Sequence, residues 1–331
     1  MKNQKLVSGI RSTGELHLGN YYGAMKGIEK LVNTYDANFF IADLHTLTTH
    51  PSREHMSKNA LEAAASYLAA GLNPEHCTFY TQSSLSAEVA ELSLYLGMVM
   101  PLGELMRCPT FKEKAKKHPD NVNYGLVGYP VLMTADILLH KGEVVPVGED
   151  QLVHLEMARQ IARRFNNRYG EVFAYPQPLA ENAVRIPALH GQGKMSKSDG
   201  VDTYISLQDE QSQIAQKVKK AYSDPTRLYL QQPGHPSVQG CNVYHLHTYF
   251  TNEQGQQQLR EQCSTASIGC VACKQRLAEE IEQIVEPFRT RKQQLTEEQI
   301  IDTLQQGAEK ARLSAQKVLQ EVRNAIGILM V

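Results

Sequence analysis

Apolar positions in the first 200 residues fall into short continuous runs separated by longer stretches with helical periodicity. The runs at 6–10, 39–43, 78–82 and 143–147 predict strands. The periodic stretches at 20–35, 53–70, 86–98, 127–140 and 151–165 predict helices, with Gly71 and Gly170 as stops. This alternation predicts βαβ units and an α/β fold: a doubly wound parallel-sheet (Rossmann-like) domain over residues 1–200. Ligands of such sheets sit beyond the carboxyl ends of the strands, where residues 9–20, 43–45 and 148–151 fall.

After Ser198 the texture changes. Glutamine-rich, charged helical patterns at 208–222, 253–261 and 278–305 predict a smaller, mainly helical domain over residues 201–331, and 308–329 is amphipathic enough to pack back on the first domain.

Length and composition agree with two cores of unequal size: 331 residues, 42% of them hydrophobic. Lys+Arg number 34 against 35 Asp+Glu, so a nucleic-acid partner would be met by local patches rather than by a global field. Residues 1–6 lack the apolar run of a signal peptide, and no stretch approaches a membrane span, which gives a cytoplasmic expectation. In that compartment six cysteines point to metal or cluster binding before disulfides. Basic stretches at 112–117 and at Arg159, Arg163, Arg164 and Arg168 read more simply as solvated faces than as RNA contacts.

Two short segments carry the chemistry. His17 and Asn20, three residues apart at a helix start, can face one ligand beside backbone N–H groups that favour anions, and Gly19 lets a nucleotide approach the backbone. The plainer reading is a glycine turn with a helix cap. In the glycine-bounded loop 193–199, Lys194 and Lys197 with Ser196 and Ser198 form a mobile cation suited to charge building on departing pyrophosphate. Together the two segments point to ATP.

These segments resemble the two signatures of the class I aminoacyl-tRNA synthetases, the H-I-G-H type as His17-Leu18-Gly19-Asn20 and the K-M-S-K-S type, letter for letter, as Lys194-Met195-Ser196-Lys197-Ser198. The strings G-I-R-S-T-G at 9–14, Y-P-V-L at 129–132, A-D-I-L at 135–138 and V-G-E-D-Q at 147–151 are similar to the tryptophanyl family, and the likeness covers essentially the whole chain. It implies activation of L-tryptophan by Mg²⁺-ATP to the adenylate, then transfer to tRNA(Trp). It also implies a homodimer with its interface near 92–105 and the helix ending at Leu139, an anticodon-binding role for 201–331, and no DNA or membrane partner.

The same resemblance assigns residues. His17, Asn20, Lys194 and Lys197 are the catalytic set. Arg11, Ser12, Thr13, Gly19, Gly148, Glu149, Asp150, Ile186, Met195, Ser196 and Ser198 join Asn20 and the two lysines around ATP. Val7, His45, Tyr129, Met133, Asp136 and Gln151 take the amino acid: Asp136 accepts the indole N–H, Met133 packs on the ring, and Tyr129 and Gln151 hold the ammonium. Asp136 also stands out unaided, as a lone carboxylate among Val131, Leu132, Ile137 and Leu138 on a helical pattern. Three positions depart from the family: Ser12 replaces a proline, Arg11 replaces glutamine, and Val7 replaces an aromatic residue.

Cys241, Cys263, Cys270 and Cys273, with 21, 6 and 2 residues between them, could converge as four thiolates; ligand count alone suits Zn²⁺ and a [4Fe-4S] cluster equally. Resemblance to a bacterial subset with the T-A-S-I-G-C string favours the cluster. Cys77 and Cys108 stand alone and read as structural. Three further identities stay open at this level: a tyrosyl-tRNA synthetase, a nucleotidyltransferase and a regulatory paralogue.

Overall fold

The computed structural model describes residues 4–12, 16–117, 119–148, 151–179 and 184–329. The chain forms two compact units. The first comprises Met1–Gly14, Gly27–Asn182 and Thr296–Val331; the second comprises Glu15–Lys26 and Ala183–Leu295. These limits differ from a single cut at residue 200: the segment holding His17 and residues 183–200 go with the helical unit, and the last helix goes with the sheet.

The first unit is built on five parallel strands, β1 (Lys5–Ile10), β2 (Asp36–Ile41), β3 (Thr78–Thr81), β4 (Val144–Pro146) and β5 (Gln177–Leu179), in the order β3-β2-β1-β4-β5. Strand order reverses between β1 and β4, which opens a crevice at their carboxyl ends. β2 starts and ends earlier than its apolar run suggests, because Asp36, Ala37 and Asn38 pair with Lys5, Leu6 and Val7. β5 has no apolar signature; it is a three-residue edge strand centred on Pro178, a residue tolerated only at such edges.

Helices Arg53–Ala69, Ser86–Val99, Tyr124–Leu138 and Leu152–Tyr169 match the periodic stretches within a few residues. Two expectations about helix continuity fail. Residues 20–35 do not form one helix: Leu18–Asn20 runs into a π-helical turn at Tyr21–Met25, and Ile28–Thr34 begins only after Gly27, whose φ of 98° is open to glycine. Residues 278–305 are also broken. Helix Cys270–Gln294 stops, and Thr296 starts Glu297–Ile326 with a capping box in which Thr296 Oγ1 accepts from Gln299 N and Gln299 Oε1 accepts from Thr296 N. Residues 308–329 therefore mostly continue this helix. It lies along the edge strand β3, covering it. Gly307 permits that approach, since a Cβ there would come within 1.7 Å of Phe79 O.

The second unit is mainly helical, with Gln211–Lys220, Asn242–Phe250, Glu253–Ser264 and Cys270–Gln294 around a core that includes Ile214, Leu246, Leu277, Ile281 and Phe288. Arg289 anchors its centre, donating to Asp209 O at 2.6 Å and to Glu282 Oε1 at 2.6 Å. Among the described residues, no helix is long and apolar enough to cross a membrane.

Candidate active site

In the sheet unit, the crevice opens into a cavity of about 500 Å³. Val7, His45, Tyr129, Met133, Asp136 and Gln151 all line it, from four different parts of the sequence, and Arg11 and Gly148 line it as well. Its walls are mostly apolar with a few convergent polar groups, the usual make-up of a small-molecule site.

Asp136 is the buried acid of this cavity, 3% exposed on helix Tyr124–Leu138. Gln82 Nε2 donates to its Oδ1 at 2.8 Å and its Oδ2 at 2.9 Å, and His45 Nε2 meets Oδ2 at 2.9 Å. Burial pushes the Asp136 pKa up, and the hydrogen bonds from His45 and Gln82 pull against it. A carboxylate held from two sides is fixed in orientation and keeps acceptor capacity for one further N–H. Gln82 escapes the sequence reading because it looks like the last residue of a strand. It opens the short turn Gln82–Leu85 instead, at the carboxyl end of β3, where residue position alone could have flagged it.

A second acid supports the same wall. Asp43, at the carboxyl end of β2, accepts from Leu44 N at 3.0 Å and Ser83 N at 2.9 Å, and also from Ser83 Oγ, which ties the ends of β2 and β3 together. Tyr129 is oriented by a hydrogen bond between its hydroxyl and His154 Nε2, and Lys114 Nζ lies 4.6 Å from its ring centroid. Arg11 is largely buried, which lowers its pKa, and its Nε lacks a hydrogen-bond partner among the described residues. The Ser12 hydroxyl is turned to Thr46 Oγ1 at 3.1 Å. Thr13, Glu149 and Asp150 lie outside the described residues.

In the helical unit, the other predicted residues gather around His17. Its Nδ1 accepts from Asn20 N at 3.3 Å, and Asn20 Oδ1 accepts from His17 N at 3.1 Å, so the pair is a helix cap as well as a candidate ligand site. With Nδ1 occupied as acceptor, the neutral imidazole carries its proton on Nε2. Burial, then the charges of Lys197 and Lys194, push the His17 pKa down to about 4, which keeps it a neutral donor near pH 7. A Cβ on Gly19 would stand 2.9 Å from the His17 ring, so only glycine leaves the imidazole where it is.

The lysine loop is tied to the same framework. Pro187 and Lys194 form an antiparallel bridge, and Met195 N donates to Ile186 O at 2.9 Å. Met195 is 3% exposed and anchors the loop, while Lys194 and Lys197 on either side of it are exposed. Thr203 Oγ1 donates to Ser196 O at 3.2 Å, and Ser198 lies in the turn Lys197–Asp199. Leu18 N bonds Ile205 O and Leu207 N bonds Leu16 O, so the segment after the loop carries the His17 helix. Two lysines and a neutral imidazole donor thus form a cationic group suited to phosphate oxygens.

All four predicted cysteines, Cys241, Cys263, Cys270 and Cys273, line one small cavity of about 20 Å³ together with Asp224 and Arg227. Burial, followed by the neighbouring Cys241, Cys263 and Cys270, pushes the Cys273 thiol up to about 12, and Cys241 and Cys263 are raised as well, by burial first. Thiols that oppose one another's ionisation in this way would release their protons to a cationic guest. Among the described residues, no three or more His, Cys, Asp or Glu side chains stand in an arrangement that could hold a metal ion.

The chain as a whole is similar to known proteins. The family profile described as tRNA synthetases class I (W and Y) matches residues 1–286. The chain is 42% identical over 330 residues to a tryptophan–tRNA ligase of Porphyromonas gingivalis, covering 98% of this chain and 99% of that one. It is 38% identical over 332 residues to the tryptophan–tRNA ligase of Deinococcus radiodurans, with coverage of 98% and 99%. Among solved structures, the Campylobacter jejuni tryptophanyl-tRNA synthetase complexed with ADP and tryptophan superposes with a TM-score of 0.89 at 32% identity, over 98% of this chain and 100% of that one.

Proposed function

We propose, for a chain that belongs to the class I tRNA synthetases of the tryptophan and tyrosine type and acts as a tryptophan–tRNA ligase, a division of its chemistry between the two groups of residues described above. The cavity around Asp136 takes L-tryptophan. Its volume of about 500 Å³ accommodates an indole, Asp136 accepts the indole N–H, Met133 packs on the ring, and Tyr129 and Gln151 hold the ammonium. The observation that carries this reading is the buried carboxylate fixed by Gln82 and His45. A site built around such an acceptor rejects a side chain that cannot donate to it by about 10⁴ to 10⁵.

ATP with Mg²⁺ is the second substrate. His17 Nε2–H and Asn20 hold phosphate oxygens, and Lys194 and Lys197 follow the charge onto pyrophosphate as the tryptophan carboxylate displaces it at the α-phosphorus. No covalent enzyme intermediate is needed. The adenylate carbonyl is then attacked by the terminal ribose hydroxyl of tRNA(Trp), and AMP leaves.

Cys241, Cys263, Cys270 and Cys273 would hold a [4Fe-4S] cluster, with Zn²⁺ as the competing guest. Four sulfurs around one cavity match the ligand count of either guest. Bound by these four thiolates, the group would tie the start of helix Asn242–Phe250 to helices Glu253–Ser264 and Cys270–Gln294 and would order a surface for tRNA. The protein works in the cytoplasm as a homodimer. Leu94, Met98, Leu102 and Met106, all exposed on helices Ser86–Val99 and Leu102–Arg107, form its interface, whereas Leu92 and Leu105 within the same stretch belong to the core.

Amino-acid-dependent exchange between ATP and pyrophosphate, on protein purified without oxygen, tests the reading. Exchange with tryptophan and none with tyrosine or phenylalanine is expected; equal exchange with tyrosine would refute the indole check.

A further inference from the structure

His154 is fully buried on helix Leu152–Tyr169 and has no role in the chemistry above. Its Nε2 is hydrogen-bonded to the Tyr129 hydroxyl, and the two rings stand edge to face with centroids 4.8 Å apart. On its other side, Nδ1 lies 3.9 Å from Sγ of the buried Cys108. Tyr129 is the member of this chain that reaches the cavity.

A phenol has one proton to give and lone pairs to accept with. If Nε2 is the acceptor, the Tyr129 proton points at His154, and the oxygen offers the cavity only lone pairs. If Nε2 carries the hydrogen, the phenol proton turns towards the cavity. The tautomer of a buried imidazole therefore decides whether this wall accepts or donates, and an ammonium group, which has donors only, demands an accepting wall.

We infer that His154 is a positioning residue: with its hydrogen on Nδ1, directed at Cys108 Sγ, it takes the Tyr129 proton and fixes the phenol oxygen as acceptor for the substrate's ammonium. This rests on the reading that Tyr129 faces the ammonium. It makes selection for an α-amine depend on a residue that never touches the substrate.

The test compares tryptophan with 3-indolepropionate, which keeps the indole and carboxylate but lacks the amine. In the exchange assay, His154→Leu should raise the KM for tryptophan about tenfold. The inhibition constant of 3-indolepropionate, the KM for ATP and kcat should stay within about twofold. His154→Gln, whose amide oxygen can still accept, should recover most of the loss. If His154→Leu does not fold, Cys108→Val, which removes the partner of Nδ1–H, should shift the same ratio in the same direction. A parallel rise for tryptophan and 3-indolepropionate would mean that His154 only packs, and would overturn the inference. Tyr129→Phe separates the two claims: no change in its ratio refutes the ammonium reading itself, while a changed ratio with His154→Leu at the wild-type value refutes only the role of His154.

Discussion

Gln82 Nε2 stands 2.8 Å from one carboxylate oxygen of Asp136 and 2.9 Å from the other, so a single amide holds the buried acid by both oxygens. Both residues are almost fully buried, at 1% and 3% exposure. The acid comes from a helix and the amide from the turn that follows β3, 54 positions earlier, so the carboxylate's orientation is a property of the fold rather than of either segment.

This relationship predicts that Gln82→Ala damages the amino-acid site selectively. Losing a hydrogen bond to a buried charge costs about 1.5–3 kcal/mol, which corresponds to a rise in the KM for tryptophan of roughly 10- to 100-fold. The KM for ATP should be unchanged. Exchange kinetics with each substrate varied in turn will show the split, and equal rises in both constants would assign Gln82 to general stability.

Lys197→Ala should act on rate rather than on binding. Removing one preorganised donor to developing charge costs about 10²- to 10³-fold in the chemical step. The dissociation constant of tryptophan by equilibrium dialysis should stay within about twofold, and rapid-quench measurement should locate the loss in adenylate formation. Comparable losses in both would remove the transition-state role.

Gly19→Ala should displace the His17 imidazole, because the new methyl would sit 2.9 Å from ring atoms that have no room to yield without breaking the cap. A fall of about 10²-fold in exchange is expected, with stability lowered by no more than the roughly 1 kcal/mol that a lost helix cap costs. Wild-type exchange in this variant would show that His17 is only a cap.

Stability should fall on acidification before the carboxylates titrate. His140 is completely buried, and burial, with a lesser contribution from Lys5, pushes its pKa down to about 4; His17 is also held near 4. Unfolded, each takes its proton near pH 6.5, so below that the unfolded state binds more protons. The stabilisation from keeping these imidazoles neutral is complete above about pH 6.5 and is lost as pH drops through about 4, up to roughly 3 kcal/mol for each. Urea unfolding between pH 7 and 4 should show this decline. Phosphate ligands should lessen the His17 part only, by raising its pKa in the complex.

The cysteine site predicts a separation of activities. Cys273→Ser should lower iron content, measured by elemental analysis and by the loss of charge-transfer absorption. It should leave tryptophan-dependent exchange within about twofold and depress tRNA charging. A folded, cluster-free protein unable to activate tryptophan would contradict the assignment, as would stoichiometric zinc in place of iron.

The sheet was legible wherever strands carry continuous apolar runs, as at Phe39 and Phe79, and illegible at Gln177–Leu179, where an edge strand has neither length nor apolar character. Helix existence was read well and helix continuity poorly. Gly27 and the Thr296–Gln299 capping box both end an apparent period, and the latter was written in the sequence as T-E-E-Q. The short helices Leu102–Arg107, Pro109–Lys117 and Asn242–Phe250 went unread, being too short for periodicity to speak. The residues gathered around the cavity had been singled out through motifs, which record side chains that meet a ligand. Gln82 and His154 belong to no motif and meet other side chains instead. Their roles are set by three-dimensional contact between distant segments; position at a strand's carboxyl end could have flagged Gln82 as a site residue, but not its pairing with Asp136.

The central claim is that a fixed Asp136 reads the indole N–H. It is tested most directly by kcat/KM in pyrophosphate exchange for tryptophan against its benzothienyl analogue, in which sulfur replaces the N–H. The account predicts a loss of at least about 10²-fold for the analogue with the wild-type protein, because the carboxylate would be left buried and unpaired, and a much smaller difference for Asp136→Ala. Equal use of the two amino acids by the wild-type protein would contradict it.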